Sequence, residues 1–156
     1  SIFLLIGIMT IYLNIGTLNL ITIGERFGYM GANTQFLVLL SLFIGFGIKT
    51  EIFPLNFWAV DIYQATSSKI NALFSAILSK AYIFVFFHIA YLWGISSKYL
   101  LFTAMIGVIS FGIAELSSLT SRDTKRVFAY STLGQLGVLF IGFSYNSVAI
   151  MTGAIF

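Results

Sequence analysis

Long apolar runs separated by short polar links make up most of the chain. Five of them are long enough to cross a bilayer as a helix, which takes about 20 mostly apolar residues. They lie at residues 2–24, 28–48, 70–97, 99–120 and 127–145, and a sixth begins near Val148. The runs are too long for barrel strands and do not alternate with period two. The pattern therefore predicts an all-α integral membrane protein with about five transmembrane helices, the start of a sixth, and one helix that is discontinuous near Pro54.

Composition supports a membrane location and excludes most catalytic chemistry. Hydrophobic residues make up 59% of the chain and charged residues only 8%, whereas a soluble domain carries about 25% charged residues. There is no cysteine and only one histidine, so neither a disulfide nor a metal site is expected. The chain has no glycine-rich phosphate loop and no basic face. We therefore predict no cofactor, no nucleic-acid partner and no catalytic residue.

Basic residues in the links predict the orientation. The link after the second run carries Lys69, and the link after the fourth carries Arg122, Lys125 and Arg126. These links are expected to face the cytoplasm, because cytoplasmic loops are enriched in lysine and arginine. The chain begins at Ser1 and ends inside an apolar run. We expect residues 1–156 to form a single transmembrane domain that is a fragment of a larger subunit.

The stretch "FGIKTEIFP", residues 46–54, places two charges in an apolar region next to the only proline. A proline removes a helical hydrogen bond and crowds the carbonyl four residues earlier. If residues 36–60 form one element, Lys49 lies near its middle, and a broken helix of this kind can build an ion site. Alternatively, the helix ends at Ile48, and Lys49 extends to the lipid headgroups and pairs with Glu51. The stretch alone leaves both interpretations open.

Lys80 lies inside the third run, eleven residues after Lys69 and eighteen before Lys98. An ionisable group at the middle of the membrane costs at least about 2.5–3.5 kcal/mol on insertion scales, so it should face protein, water or a counter-charge. It is either a structural lysine paired with a neighbouring helix or part of a proton relay. Burial disfavours the charged form of an amine, which allows a lysine to exchange protons.

His88 follows Lys80 by eight residues, which in a helix is a rise of about 12 Å and a rotation of about 80°. Histidine titrates near neutral pH, so His88 could be the next station of a relay. A single histidine among aromatic residues is equally consistent with a packed, hydrogen-bonded side chain.

Five motifs together resemble the antiporter-like proton-conducting subunits shared by respiratory complex I and the Mrp-type cation/proton antiporters. The motifs are "GTLNL" at 16–20, "KTEIFPLNFWAVD" at 49–61, "SAILSKAYIF" at 75–84, His88, and "DTKRVFAYST" at 123–132. Their order and spacing cover nearly the whole chain. Within this family, "DIYQ" at 61–64 favours the quinone-proximal member in complex I, and "NALFSAILSK" at 71–80 favours the Mrp antiporter branch.

The resemblance implies a role for each matching residue. Lys49 would be the lysine of the discontinuous helix, Lys80 the next lysine along a buried polar axis, and His88 would stand where many members have an arginine. Glu51 and Asp61 would be accessory residues. The glutamate that pairs with the first lysine in the family would lie on a helix before Ser1.

The resemblance also implies three candidate functions. The first is sodium/proton antiport through the lysine relay, as one part of a multisubunit membrane complex. The second is proton pumping in the membrane arm of NADH:quinone oxidoreductase, in which this chain would hold no NADH, flavin or iron–sulfur cluster. The third is a non-conducting remnant of a split gene. The expected surroundings are other membrane subunits, lipid, protons and possible sodium ions, in the bacterial cell membrane or the mitochondrial inner membrane.

Overall fold

The computed structural model of the protein describes residues 1–145, which form helices joined by short turns. The helices are α1 (Ile2–Ile15), α2 (Leu20–Phe27), α3 (Ala32–Lys49), α4 (Ala59–Ala65), α5 (Ser68–Leu73), α6 (Ser79–Leu92), α7 (Ser97–Thr120) and α8 (Thr124–Ser144), with a π-helical turn at Phe74–Leu78 between α5 and α6. The predicted all-α fold is confirmed for this part of the chain. The sixth run predicted from Val148 lies outside the described residues.

Four helical segments are long and apolar enough to cross a membrane. They are α3, α7, α8 and the continuous 25-residue stretch Ser68–Leu92, and the pair α1 and α2 makes a fifth if it is counted as one span. The prediction of about five spans is thus confirmed. Many large apolar side chains on these helices are exposed, and in a bilayer they would contact lipid or neighbouring helices.

The first predicted run, 2–24, is not one straight helix, and this part of the prediction is wrong. The axes of α1 and α2 differ by 71°. Helix α1 ends because Gly16 takes a left-handed conformation, with φ 79°, and donates its N–H to the Tyr12 carbonyl. Helix α2 begins at a new cap, where the Asn19 side chain accepts a hydrogen bond from the Ile21 N–H. The same apolar run therefore forms two helices.

The predicted break near Pro54 is confirmed. Helix α3 ends at Lys49, and helical structure resumes at Ala59. We call residues 50–58 the break. Its backbone groups bond within the protein, since the Ile52 N–H donates to the Gly47 carbonyl over 3.2 Å and the Phe53 N–H to Ser110 Oγ over 3.3 Å. Such internal pairing is what irregular backbone needs at membrane depth.

The core holds the break in place. Ile52 is fully buried in a hydrophobic cluster that also contains residues of α4, α6, α7 and α8. This cluster includes Tyr63 and Ile83. The segment between α3 and α4 is therefore anchored against four other helices, and its polar side chains have defined positions.

Helices α7 and α8 cross where two glycines face each other. A Cβ on Gly107 would lie 2.8 Å from the Gly137 carbonyl oxygen, and a Cβ on Gly137 would lie 2.8 Å from both the Gly107 oxygen and the Phe111 nitrogen. These neighbouring atoms belong to the backbone, so they cannot move aside by a change of rotamer to make room for a Cβ. Small residues at such crossings let membrane helices approach closely, so this contact depends on both glycines.

We expect Gly107→Ala to lower stability because the added methyl group meets backbone. Overpacking of this kind costs about 1–3 kcal/mol. Gly112 is a matched control in the same helix, since a Cβ there meets no atom within 4 Å among the described residues. Gly112→Ala should be neutral or stabilising by up to about 1 kcal/mol. Thermal unfolding of the purified full-length protein in detergent measures both, and equal melting temperatures for the two variants would contradict the proposed crossing.

Candidate functional site

A buried carboxylate lies where the break meets α4 and the start of α6. Glu51 is only 1% exposed. Its Oε1 atom accepts hydrogen bonds from the Tyr63 hydroxyl, over 3.3 Å, and from Ser79 Oγ, over 3.2 Å. Its Oε2 atom is buried and has no hydrogen-bond partner among the described residues. Three separate elements therefore converge on one acidic side chain.

The π-helical turn precedes Lys80 and changes the backbone around it. The N–H of Ser79 donates to the Phe74 carbonyl, five residues earlier, as the wider π-helical turn requires. Lys80 is partly buried, and its Nζ atom donates to the Ser75 carbonyl over 2.9 Å. Such turns are frequent at functional sites. The lysine side chain thus folds back onto the turn instead of extending outward.

Lys80 stands at the centre of its span. In the stretch Ser68–Leu92, twelve residues precede it and twelve follow it. This position confirms that the lysine is not at either end of the helix. Within residues 1–145 it forms no ion pair, and its only hydrogen bond goes to the carbonyl of its own turn. The alternative of a structural lysine paired with a neighbouring helix stays a prediction.

Lys49 is the last residue of α3 and is partly buried. Its Nζ atom lies 5.4 Å from the centroid of the Tyr82 ring, two residues beyond Lys80 on α6. An ammonium group at this distance from an aromatic face is attracted to it. The alternative prediction that Lys49 pairs with Glu51 is wrong for this structure, because the partners of Glu51 are the hydroxyls of Tyr63 and Ser79. The break turns the two side chains to different neighbours.

His88 lies on the same helix as Lys80 but away from the buried groups. It is exposed, and its ring stacks on that of Phe84 with centroids 5.8 Å apart. No hydrogen bond joins it to either lysine in the described part of the chain. Lys49 and Glu51 thus contact Tyr82 and Ser79, which lie close to Lys80 in sequence on α6, whereas His88 lies on the helix surface.

Asp61 forms a surface ion pair. Its Oδ1 atom lies 3.4 Å from an Nη atom of Arg126, and both side chains are largely exposed. Gln64 joins the same group, donating to Asp123 over 2.8 Å and accepting from Arg126 over 2.8 Å. Exposed pairs of this kind contribute about 0–1 kcal/mol. These contacts also show that the two basic links lie at the same end of the protein, as their charge pattern predicts.

The sequence pattern missed the neutral residues of the site. Tyr63, Ser75, Ser79 and Tyr82 provide two hydroxyl donors, a carbonyl and an aromatic face, and none of them carries a charge that stands out in an apolar helix. The one available signal is the "SK" pair at 79–80, in which a polar residue precedes the buried lysine. The described residues contain no group of three or more histidine, aspartate or glutamate side chains placed to hold a metal ion.

The arrangement is suited to moving protons. A carboxylate and two lysines can each gain and lose a proton, and hydroxyl groups can both donate and accept hydrogen bonds. All of these groups lie on α3, the break, α4 and α6. Ionisable groups inside a membrane are typical of ion and proton pathways.

Comparison with known proteins identifies the same class of molecule. The family model described as "NADH:quinone oxidoreductase/Mrp antiporter, TM" matches residues 1–156. NADH-ubiquinone oxidoreductase chain 4 of Dictyostelium discoideum is 29% identical over 144 residues, which is 91% of this chain and 27% of that protein.

Two solved structures have the same fold. One is the membrane-bound sulfane sulfur reductase, an archaeal respiratory membrane complex, with a TM-score of 0.87, 30% identity, and coverage of 98% of this chain and 32% of that chain. The other is the Mrp complex from a Dietzia species, with a TM-score of 0.82, 24% identity, and coverage of 98% and 28%. The chain therefore spans about a third, or less, of the proteins it matches. It is an integral membrane protein and belongs to the NADH:quinone oxidoreductase/Mrp antiporter transmembrane family.

Proposed function

We propose that this chain forms part of a proton-conducting membrane subunit in which Lys49, Lys80 and His88 pass protons in turn, in exchange for a cation such as sodium. The observation that carries the proposal is Lys80 at the centre of a 25-residue apolar span with no ion-pair partner among the described residues. A charge in that position is costly for a membrane helix. Its presence is explained if the amine must gain and lose a proton.

Two further features support the relay. Lys49 ends a helix at the break, and discontinuous helices carry the ion sites of many transporters. Its ring partner Tyr82 is on α6, the helix that also carries Lys80. His88 lies two turns further along α6, where it is exposed and its imidazole can both accept and donate a proton.

The subunit would work within a multisubunit membrane complex. Two solved structures to which the chain is similar are complexes, one described as an archaeal respiratory membrane complex and the other as the Mrp complex. We therefore propose other membrane subunits as partners, with protons and sodium as the transported ions. Buried charges that lie close together influence one another's protonation, so a change at one lysine would alter the proton affinity of the next.

A second candidate is a proton-pumping subunit of NADH:quinone oxidoreductase. It is favoured by the similarity to NADH-ubiquinone oxidoreductase chain 4. The relay would be the same, but its driving force would come from electron transfer in other subunits. Only the energy source distinguishes this candidate from cation exchange.

The test is to reconstitute the full-length protein with its complex in vesicles that contain a pH-sensitive dye. A sodium gradient should drive proton movement if the first candidate is correct, and NADH with a quinone should drive it if the second is. Vesicles loaded with potassium in place of sodium are the control, and proton movement in them measures leakage that sodium does not drive. Vesicles that show no proton movement under either condition would contradict both candidates and favour a non-conducting chain.

A further inference from the structure

We infer that Glu51 is a proton-carrying group of the same pathway, placed between Lys49 and Lys80. This inference rests on the proposed function and adds a carboxylate to it. Glu51 belongs to the break itself, two residues after Lys49, and it bonds to Ser79, the residue directly before Lys80. It is thus close to Lys49 along the chain and is hydrogen-bonded to the residue that precedes Lys80.

The position of Glu51 is unfavourable for a glutamate in two ways. Its side chain is 1% exposed, and burying a carboxylate costs free energy unless it is fully hydrogen-bonded. Its backbone has φ 58°, in the left-handed region that residues other than glycine rarely adopt. Backbone strain of this kind concentrates at functional sites. A glycine would adopt this backbone without strain and without burying a carboxylate.

The carboxylate also has one unused atom. Both donors, Tyr63 and Ser79, bond to Oε1, while Oε2 is buried without a partner among the described residues. A purely structural carboxylate would be expected to use both oxygens. A free oxygen inside the protein is where a proton, or a water molecule that delivers one, can be accepted.

Ser79 can adapt to either protonation state of Glu51. Its hydroxyl has two acceptors within reach, Glu51 Oε1 at 3.2 Å and the Phe74 carbonyl at 3.3 Å. When Glu51 is ionised, the Ser79 hydrogen can point to the carboxylate. When Glu51 is protonated, that hydrogen can turn to the Phe74 carbonyl while the Ser79 oxygen remains free to accept. The Ser79 hydroxyl therefore donates a hydrogen bond in both protonation states of Glu51.

The step that this geometry provides conserves protons and charge. The ammonium group of Lys80 releases one proton and becomes a neutral amine, and the carboxylate of Glu51 takes up one proton and becomes a carboxylic acid. Water that enters the site would carry the proton between the two groups. Lys49, as a neutral amine that has already passed its own proton on, then receives this proton and becomes an ammonium group, while Glu51 returns to the carboxylate. The same steps in reverse carry a proton from Lys49 to Lys80, and no other reactant is consumed.

The test compares Glu51→Gln with wild type in the full-length protein within its complex. Glutamine keeps an oxygen that can accept from Tyr63 and Ser79 but cannot carry a proton, so assembly should persist while proton flux falls by on the order of a hundredfold. Glu25→Gln is the matched control, because Glu25 is exposed on α2, and its flux should be unchanged. Glu51→Asp, which keeps the acid, should conduct better than Glu51→Gln.

Infrared difference spectroscopy provides a readout that does not depend on flux. The protonated acid of Glu51 should give a carbonyl stretching band that shifts in heavy water and is missing from Glu51→Gln. Wild-type flux in an assembled Glu51→Gln variant, or an infrared spectrum identical to that of wild type, would overturn the inference. If the wild-type complex conducts no protons but the Glu51 band still exchanges with heavy water, the proposed function fails and the assignment of Glu51 as a proton-exchanging group stands.

Discussion

Lys80→Ala in the full-length protein should abolish proton flux while the complex still assembles. The amine is the group that would carry the proton at the middle of the span, and removal of a positioned acid–base group typically lowers a rate by on the order of a hundredfold or more. The fold should tolerate the change. Lys80 forms one hydrogen bond, to the carbonyl of Ser75 in its own turn, and loss of a charge from a membrane helix favours insertion by about 2.5–3.5 kcal/mol.

The control for this variant is Lys69→Ala. Lys69 lies on the same helical stretch but is exposed near its start, so its removal should leave flux close to that of wild type. Abundance of the assembled complex is measured alongside flux, in the same vesicles. A well-assembled Lys80→Ala variant with normal flux would contradict the relay, and Lys80 would then be a structural residue only.

The main features of the fold could be predicted because a membrane span depends on local composition. Apolar length alone located α3, α7, α8 and the stretch that carries Lys80. The break near Pro54 was predictable for a related reason, since a proline cannot continue a helical hydrogen-bond ladder. The spans and the break are set by local sequence and by the bilayer, so they can be predicted without knowing which distant residues are in contact.

The bend between α1 and α2 was missed because it depends on backbone conformation within an apolar run. "GTLNL" looks continuous by hydropathy, but Gly16 turns left-handed and Asn19 caps the next helix. Helix signals of this kind are weak when no charge or proline accompanies them. Capping residues inside an apolar run are therefore the features to examine when spans are predicted.

The charged members of the site were predictable, but their partners were not. Lys49 and Lys80 stand out because charge is rare in an apolar run. Which groups surround them depends on how the break folds back on α4 and α6, a matter of tertiary contact. The sequence placed Glu51 beside Lys49 and suggested an ion pair, whereas the left-handed backbone at Glu51 directs its carboxylate to Tyr63 and Ser79.

Lys49→Arg should reduce proton flux almost as much as Lys49→Ala. Arginine keeps the positive charge and can maintain the contact with the Tyr82 ring, which lies 5.4 Å from the Lys49 amine. It does not release its proton under physiological conditions. A relay role therefore predicts a loss of flux on the order of a hundredfold for both variants, whereas a purely structural charge predicts that arginine restores function.

Tyr82→Phe separates the ring contact from the proton step. Phenylalanine keeps an aromatic face for the Lys49 amine but removes the hydroxyl, so flux should stay near that of wild type if the ring serves only to hold the lysine. Flux is measured in the same reconstituted complex for all three variants, normalised to assembled protein. Normal flux in Lys49→Arg would show that Lys49 supplies a fixed charge, and the mobile proton would then have to pass through Glu51 and Lys80 without it.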